Sequence, residues 1–225
     1  MAFDIVIAHD WKYTGDYQVY IPERVREIVN WFEMGDGPGQ ARFGSYVEGV
    51  DYIKLDKFKS QTAFYKDFDV IYKKEDGMGG IKYWTGNNPE IPSDQAKTLK
   101  WVVANGFNAP SRPAERVQKV VIIFMAGVNT KAKYAEAGRD AVAEGVVPYV
   151  VMQGTATKDG LKWTDQQFRK YGVDLAGGDK TRMVQAKHTR QHAMTPMLME
   201  IREKIMCLDT VCHSEWPICK KHAEP

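Results

Sequence analysis

The stretch DIVIAHDWKYT, from Asp4 to Thr14, passes from an apolar segment into acidic, basic and hydroxyl side chains at alternate positions. Its first part, up to Ala8, has the pattern of a buried strand, and Asp10, Lys12 and Thr14 follow it. Carboxylates and hydroxyls after a strand's carboxyl end are how an open α/β sheet holds a metal or an anionic ligand. Because Lys12 stands where such a site needs an oxygen, the stretch indicates either a working site or a remnant of one.

The length and composition predict one domain with a short tail. The chain has 225 residues, of which 44% are hydrophobic, and this is enough to bury a substantial core. We expect a domain over residues 1–206 and a cysteine-containing tail over 207–225. The 31 basic and 29 acidic residues leave a formal net charge of +2 and are scattered, which argues against a nucleic-acid partner.

The sequence contains no apolar run near the roughly 20 residues that cross a bilayer, so we expect no membrane insertion. The Met-Ala start lacks the apolar core of a signal peptide. This start fits a cytosolic protein, and it also fits a mature secreted protein carrying an added Met.

Strands alternate with helices along nearly the whole chain. The apolar run from Lys119 to Met125 predicts a central strand that is covered on both faces. Two short strands, within Arg42 to Leu55, predict a hairpin and hence one antiparallel edge strand. We expect a loop from Ile81 to Pro92, a helix capped by Ser93 and a final helix that opens at Thr195-Pro196. The predicted fold class is α/β, a doubly wound, mostly parallel sheet with helices on both faces.

The three cysteines, Cys207, Cys212 and Cys219, lie near the end of the chain and lack paired zinc-ligand spacing. An odd number allows one disulfide with a leftover thiol, or a bond to a second chain that would link an oligomer. Three free thiols in a cytosolic protein are the alternative.

Several segments together resemble the von Willebrand factor type A (vWA) domain. They are DIVIAHD at the start, VVIIFMAG in the middle, AVAEGVVPYVV after it, and an amphipathic helix that runs into a cysteine. The resemblance extends over roughly Asp4 to Cys207 and is closest to the domains of matrix proteins such as type VI collagens and matrilins. It implies a Rossmann-like fold with a metal-ion-dependent adhesion site at the carboxyl ends of the strands.

Carried over residue by residue, that site is degenerate in this chain. Asp10 matches the first Asp and Thr14 the second Ser of the first motif, while Lys12 replaces the first Ser. Thr85 is the only plausible match to the family's Thr. The third motif, usually Thr-Asp-Gly, reads Met125-Ala126-Gly127, so its carboxylate is missing. The metal ligands, if an ion is bound, would be Asp10, Thr14 and Thr85.

Lys12 allows three states of this site. Its ammonium, oriented by Asp10, can substitute for a divalent ion, since like charges repel strongly in a low-dielectric cleft. A rearranged shell can instead hold Mg²⁺, or the site can be empty. No cofactor is therefore expected, with Mg²⁺ as the alternative.

Aromatic side chains surround the predicted site. Trp11, Tyr13 and Trp84 are among the residues of the two loops that should form its rim. Such residues commonly anchor protein interfaces, although packing of long loops against each other explains them equally well. With Asp10, Lys12 and Thr14 they form the predicted ligand-binding set.

Other chemistry finds little support in the sequence. His188 and His192 have metal-ligand spacing on a helix but lack a third ligand, which favours surface histidines. The chain contains no G-x-S-x-G elbow and no phosphate-binding loop, so we expect no enzyme.

The sequence predicts a secreted matrix module that mediates adhesion to collagen or another matrix protein without a required metal. One alternative is an adhesion domain that binds a ligand carboxylate through Mg²⁺ at Asp10, Thr14 and Thr85. The other is an intracellular vWA scaffold, whose cysteines would be reduced.

Overall fold

In the computed structural model, the described residues are 1–9, 21–47, 51–75, 81–83, 94–112, 116–125, 128–129, 131–153, 165–186 and 191–208. The strands are β1 Ala2–His9, β2 Ala41–Val47, β3 Asp51–Ile53, β4 Lys73–Glu75, β5 Ile81–Tyr83, β6 Val117–Met125, β7 Val146–Gln153 and β8 Met183–Ala186. The helices are α1 Ile21–Val29, α2 Gln61–Tyr72, α3 Gln95–Asn105, α4 Tyr134–Ala143, α5 Asp165–Leu175 and α6 Gln191–Met206, with a 3₁₀ turn at Lys180–Arg182.

The main sheet has six strands in the order β3-β2-β1-β6-β7-β8. All neighbours in it are parallel except β2 and β3, which pair antiparallel at the edge. The predicted α/β fold class is confirmed, and so are the hairpin and the central position of β6 between β1 and β7.

The sheet separates two apolar clusters because successive side chains of a strand point to opposite faces. On β1, Ile5 and Ile7 belong to the cluster under α1, α2 and α6, whereas Val6 and Ala8 belong to the cluster under α3, α4 and α5. The buried residues of β6 divide between the two clusters in the same alternating way. A strand covered on both faces therefore shows the unbroken apolar run seen in the sequence.

Local boundaries differ from the sequence predictions at three points. Ile81–Tyr83, predicted as loop, pairs antiparallel with Lys73–Glu75 in a separate two-stranded sheet. Asp94, not Ser93, caps α3, since its carboxylate accepts a hydrogen bond of 3.0 Å from the backbone N–H of Lys97. The last helix begins at Gln191 and contains Pro196 in its interior.

Candidate binding site at the carboxyl edge of the sheet

The predicted site residues follow β1 and β5. Asp10, Trp11, Lys12, Tyr13, Thr14, Trp84 and Thr85 all lie outside the described residues. Their roles as ligand-binding or metal-binding groups therefore stay predictions. What the structure does describe is the end of the main sheet at which β1, the strand before Asp10 to Thr14, terminates. Strand β5, which precedes Trp84 and Thr85, belongs to the separate two-stranded sheet.

The register fixes that edge. His9, the last residue of β1, lies opposite Val47 of β2 and Phe124 of β6. Met125, which ends β6, lies opposite Met152 of β7. Because these strands are parallel, their carboxyl ends meet along one side of the sheet, where α/β folds bind their ligands. We call this side the carboxyl edge.

The end of the central strand supplies no oxygen ligand from a side chain. Met125 is fully buried and packs in the cluster that contains Val128. In the sequence it is followed by Ala126, where a carboxylate would be needed. Within the described part of the chain, no group of three His, Cys, Asp or Glu side chains could hold a metal ion.

A buried hydrogen-bond relay lies beside the end of β6. The hydroxyl of Tyr134, at the start of α4, accepts a hydrogen bond of 2.9 Å from the backbone N–H of Asn129 and donates one of 2.8 Å to Oε1 of Gln95. Gln95 is fully buried and is the first residue of α3. The relay therefore joins the segment after β6 to the beginning of α3 through the side chains of Tyr134 and Gln95.

Helix α1 carries a buried cation. Arg24 lies in the first turn of α1 and is 1% exposed. Its Nη1 donates a long hydrogen bond of 3.3 Å to Glu27, three residues along the same helix. A charge beside Val25 and Ile28 on an apolar stripe is a readable signal in the sequence, yet Arg24 belongs to none of the predicted sites.

The opposite edge of the sheet carries a second buried charge cluster. Arg42 binds Asp4 through Nε at 2.9 Å and Nη2 at 2.7 Å, and Arg112 adds a contact from Nη1 at 2.9 Å. Arg112 also donates to the carbonyl oxygens of Phe3 and Gly35. Since these polar contacts are internal to the fold, we assign the cluster a structural role, which no sequence motif had indicated.

A groove of about 300 Å³ lies between α4 and α5. Its carboxylates, Glu136 and Asp174, are each paired with a lysine: Glu136 with Lys100 and Lys133, and Asp174 with Lys170. The Lys100 ammonium beside Glu136 holds the pKa of that carboxyl below its ordinary value. Because its carboxylates are already paired with lysines, the groove does not indicate whether a ligand would be an anion or a cation.

The structure describes only some of the cysteines and histidines that the sequence predictions concern. Cys207 follows α6 directly and is buried. Cys212, Cys219 and His188 lie outside the described residues, so the disulfide pairing stays a prediction. The described helices include none that is long and apolar enough to cross a membrane.

Comparison with solved structures identifies the fold. No protein-family model matches the sequence, and no curated protein does either. One similar structure is that of proximal thread matrix protein 1 from the mussel byssus, in which the metal-ion-dependent adhesion site (MIDAS) motif is occupied by zinc. It superposes on this chain with a TM-score of 0.64 at 18% sequence identity, and the match covers 89% of this chain and 47% of the mussel chain. The chain thus spans less than half the length of the mussel protein.

Two bacterial proteins share the architecture. BatB from Bacteroides thetaiotaomicron gives a TM-score of 0.55 at 14% identity, over 90% of this chain and 98% of that one. The pilus adhesin SpaC from Lactobacillus rhamnosus GG gives 0.61 at 10% identity, over 91% of this chain and 30% of that one. Sequence identities this low are evidence of a shared fold alone. Together with the strand order, they show that the chain has the fold of a von Willebrand factor type A domain.

Proposed function

We propose that this protein is a non-enzymatic matrix module that holds another protein, with collagen as the first candidate, at the carboxyl edge without a required metal. The observation that carries the proposal is the end of β6. There Met125, whose thioether side chain is buried, is followed by Ala126. Ala126 stands at the position where a metal-dependent site needs a carboxylate. An ion would have to be held by the remaining groups, Asp10, Thr14 and Thr85. Lys12, which stands between Asp10 and Thr14 in the sequence, would oppose that ion with its positive charge.

The relay beside β6 supports metal independence. In a metal-holding site the ion itself ties neighbouring loops together. Here Tyr134 connects Asn129 to Gln95 by two hydrogen bonds of ordinary length. The segment after β6 therefore has an internal anchor that needs no ion.

The structural neighbours support an adhesive role. Two of them are described as a byssal thread matrix protein and a pilus adhesin. Sharing a fold does not transfer a partner, because function depends on the loops placed upon it. We infer a protein partner from the kind of neighbour, and we choose collagen and a matrilin-like or collagen VI-like context from the sequence resemblance.

An extracellular location belongs to the same proposal. Disulfides persist in oxidising compartments and are rare in the cytosol. Cys207, buried at the end of α6, would form one half of a disulfide, with Cys212 or Cys219 as its partner within the chain. A third cysteine would then be available to link a second copy. Reduced cysteines in protein from its native source would favour the intracellular scaffold instead.

A metal-dependent adhesion domain is the second candidate. The observation that favours it is the zinc-occupied MIDAS motif of the mussel protein, a structural neighbour with the same fold. In this chain Mg²⁺ would be held by Asp10, Thr14 and Thr85, and a ligand carboxylate would complete the shell. Titration of the protein with Mg²⁺ or Mn²⁺, followed by calorimetry, separates the two: saturable heat that disappears in Asp10→Ala supports this candidate.

The proposed contact surface is testable by substitution. Trp11→Ala, Lys12→Ala and Trp84→Ala should each weaken binding to immobilised collagen by tenfold or more, on the order of 1.4 kcal/mol, as expected for central interface anchors. Lys59→Ala is the matched control, because Lys59 is exposed and far from the carboxyl edge. It pairs with Asp36, whose segment contacts Met1 at the amino end of β1. Equal binding by all four variants and the wild type would exclude this surface.

A further inference from the structure

The segment after β6 is anchored at Asn129. The backbone N–H of this residue donates a hydrogen bond of 2.9 Å to the hydroxyl of Tyr134. Its carbonyl oxygen accepts one of 3.0 Å from the backbone N–H of Ala132, and its side-chain Oδ1 accepts one of 3.0 Å from the backbone N–H of Lys131. Val128, directly before it, is buried. The backbone of Asn129 is therefore held at both its N–H and its C=O.

The core sets the position of the Tyr134 hydroxyl. Tyr134 is 2% exposed and belongs to the cluster beneath α3, α4 and α5. Its ring centroid lies 5.4 Å from that of Tyr171 on α5. A tyrosine ring is rigid and turns about two side-chain torsions only, so close packing of the ring leaves its oxygen little freedom. The hydroxyl is therefore a fixed point to which the segment after β6 is attached.

The same hydroxyl also fixes the start of α3. It donates a hydrogen bond of 2.8 Å to Oε1 of Gln95, which is fully buried and is the first residue of α3. Directly before it, Asp94 caps the helix by accepting a bond of 3.0 Å from the backbone N–H of Lys97. In the sequence, the segment that contains Trp84 and Thr85 leads into this helix start. One oxygen atom thus joins the segment after β6 to the point where that segment ends.

Both attachment points lie toward the carboxyl edge. Asn129 comes four positions after Met125, the last residue of β6. Helix α3 begins beside it and runs to the opposite edge, where the carbonyl oxygen of Pro110 accepts a hydrogen bond of 2.8 Å from Arg42 in the cluster around Asp4. The relay therefore stands beneath the surface at which the proposed function places the partner.

A binding surface built from loops binds more tightly when the free protein already has the bound arrangement, because ordering the loops opposes association. If only a fraction of the molecules has that arrangement, the apparent dissociation constant rises in inverse proportion to the fraction. A group that fixes the edge from below can therefore control affinity without touching the partner.

We propose that Tyr134 is a positioning residue for partner binding, whose hydroxyl fixes Asn129 and the start of α3 in the arrangement that the partner recognises. The identity of the partner, collagen, rests on the proposed function, whereas the fixing of Asn129 by the hydroxyl does not. Two measurements on the full chain test these two parts separately.

Hydrogen exchange tests the anchor in the absence of any partner. The exchange rate of the Asn129 amide is measured by nuclear magnetic resonance in the wild type, in Tyr134→Phe and in a control, Tyr65→Phe. We expect Tyr134→Phe to raise this rate about tenfold or more, because the amide loses its acceptor. Tyr65→Phe should leave the rate within about twofold of the wild type. An unchanged rate in Tyr134→Phe would overturn the anchor.

Tyr65→Phe is a matched control because it deletes the same chemical group elsewhere. The Tyr65 hydroxyl lies 3.0 Å from the carbonyl oxygen of Arg26 and 2.7 Å from Oδ1 of Asn30. Its ring packs against the cluster on the other face of the sheet. The control therefore also loses a hydroxyl that bridges two groups, but not at the carboxyl edge.

Binding kinetics on immobilised collagen test the positioning role. The three proteins are compared at a temperature at which circular dichroism shows all of them folded. We expect Tyr134→Phe to bind about fivefold or more weakly, with a slower association rate and an unchanged dissociation rate, since fewer free molecules have the competent arrangement. Tyr65→Phe should bind like the wild type.

The other outcomes contradict the proposal in distinguishable ways. Wild-type affinity in Tyr134→Phe, or equal weakening by both variants, would overturn the positioning role. Weaker binding that lies wholly in the dissociation rate would indicate a lost contact and would overturn it as well. Absence of collagen binding by the wild type would overturn the proposed function, and the role of Tyr134 in binding with it. Exchange at Asn129 would still decide whether the hydroxyl fixes the edge.

Discussion

The hydroxyl of Tyr134 donates a hydrogen bond of 2.8 Å to Oε1 of Gln95, and thereby ties the start of α4 to the start of α3 beneath the carboxyl edge. The same oxygen accepts from the backbone of Asn129, so one side chain connects three separate parts of the fold. In our account this connection replaces the bridging that an ion would provide. The hydroxyl should therefore matter for stability in the absence of any metal.

Tyr134→Phe removes the hydroxyl and leaves an N–H of Asn129 and an oxygen of Gln95 without their observed partner. We expect a loss of about 1–3 kcal/mol in the free energy of unfolding, measured by urea denaturation, with the same value in EDTA and in Mg²⁺. A loss that appears only in EDTA would indicate that an ion shares the bridging.

Asp4→Asn tests the cluster at the opposite edge. The substitution leaves Arg42 and Arg112, whose side chains are 7% and 1% exposed, without their counter-charge. We expect a loss of about 3–5 kcal/mol in the free energy of unfolding. Asp67→Asn, in the exposed pair with Lys57, is the matched control and should cost at most about 1 kcal/mol. Similar losses in both variants would refute the assigned role.

Gly138→Ala tests the contact between α4 and the end of α5. A Cβ at this position would lie 2.2 Å from the carbonyl oxygen of Asp174 and 2.8 Å from the backbone nitrogen of Gly177. Alanine favours a helix by about 1 kcal/mol over glycine, yet we expect a net loss of about 1–3 kcal/mol in unfolding free energy. Arg139→Ala, exposed on the same helix, should be nearly neutral. A higher unfolding free energy for Gly138→Ala than for the wild type would show that α4 and the end of α5 separate easily.

Tyr52 gives a prediction for alkaline pH. Its hydroxyl donates to the carbonyl oxygen of Gly106 at 3.0 Å, its ring packs edge-on against Trp101, and burial raises its pKa to about 12. Because the pKa is higher in the folded than in the unfolded chain, the stabilisation is complete below pH 10 and is lost as the pH rises toward 12. Unfolding free energies of the wild type and Tyr52→Phe should converge over that interval. A constant difference between them would contradict the assignment.

The main sheet was predictable because each of its signals is local. The apolar run from Lys119 to Met125 marks a strand buried on both faces, and β6 indeed lies between β1 and β7. The two short strands within Arg42 to Leu55 pair antiparallel, as expected. In these segments the period of the sequence, the burial and the pairing agree, so no competing interaction shifts the outcome.

The hairpin formed by β4 and β5 was not predictable in the same way. Each strand is three residues long, too short for alternation to be read, and Asn87, Asn88 and two prolines between Ile81 and Pro92 indicated a loop. Ser93 and Asp94 are both good caps, and only the structure distinguishes them, by the bond from Lys97 to Asp94. Such choices depend on tertiary context.

The candidate site was predicted from order and motif, not from geometry. The sequence indicates that carboxyl ends meet after His9 and Met125, and the register confirms it. It does not reveal that Tyr134 reaches Gln95, because the two residues are 39 positions apart and neither belongs to a motif. Arg24 was visible as a charge on an apolar stripe, but the missing acceptors on Nε and Nη2 emerge only from the packing of the described residues.

The measurement that tests the central claim most directly is collagen binding in EDTA and in Mg²⁺, with circular dichroism to confirm that the fold is unchanged. Our account predicts the same dissociation constant in both conditions. A collapse of binding in EDTA with the fold intact, reversed by added Mg²⁺, would contradict it.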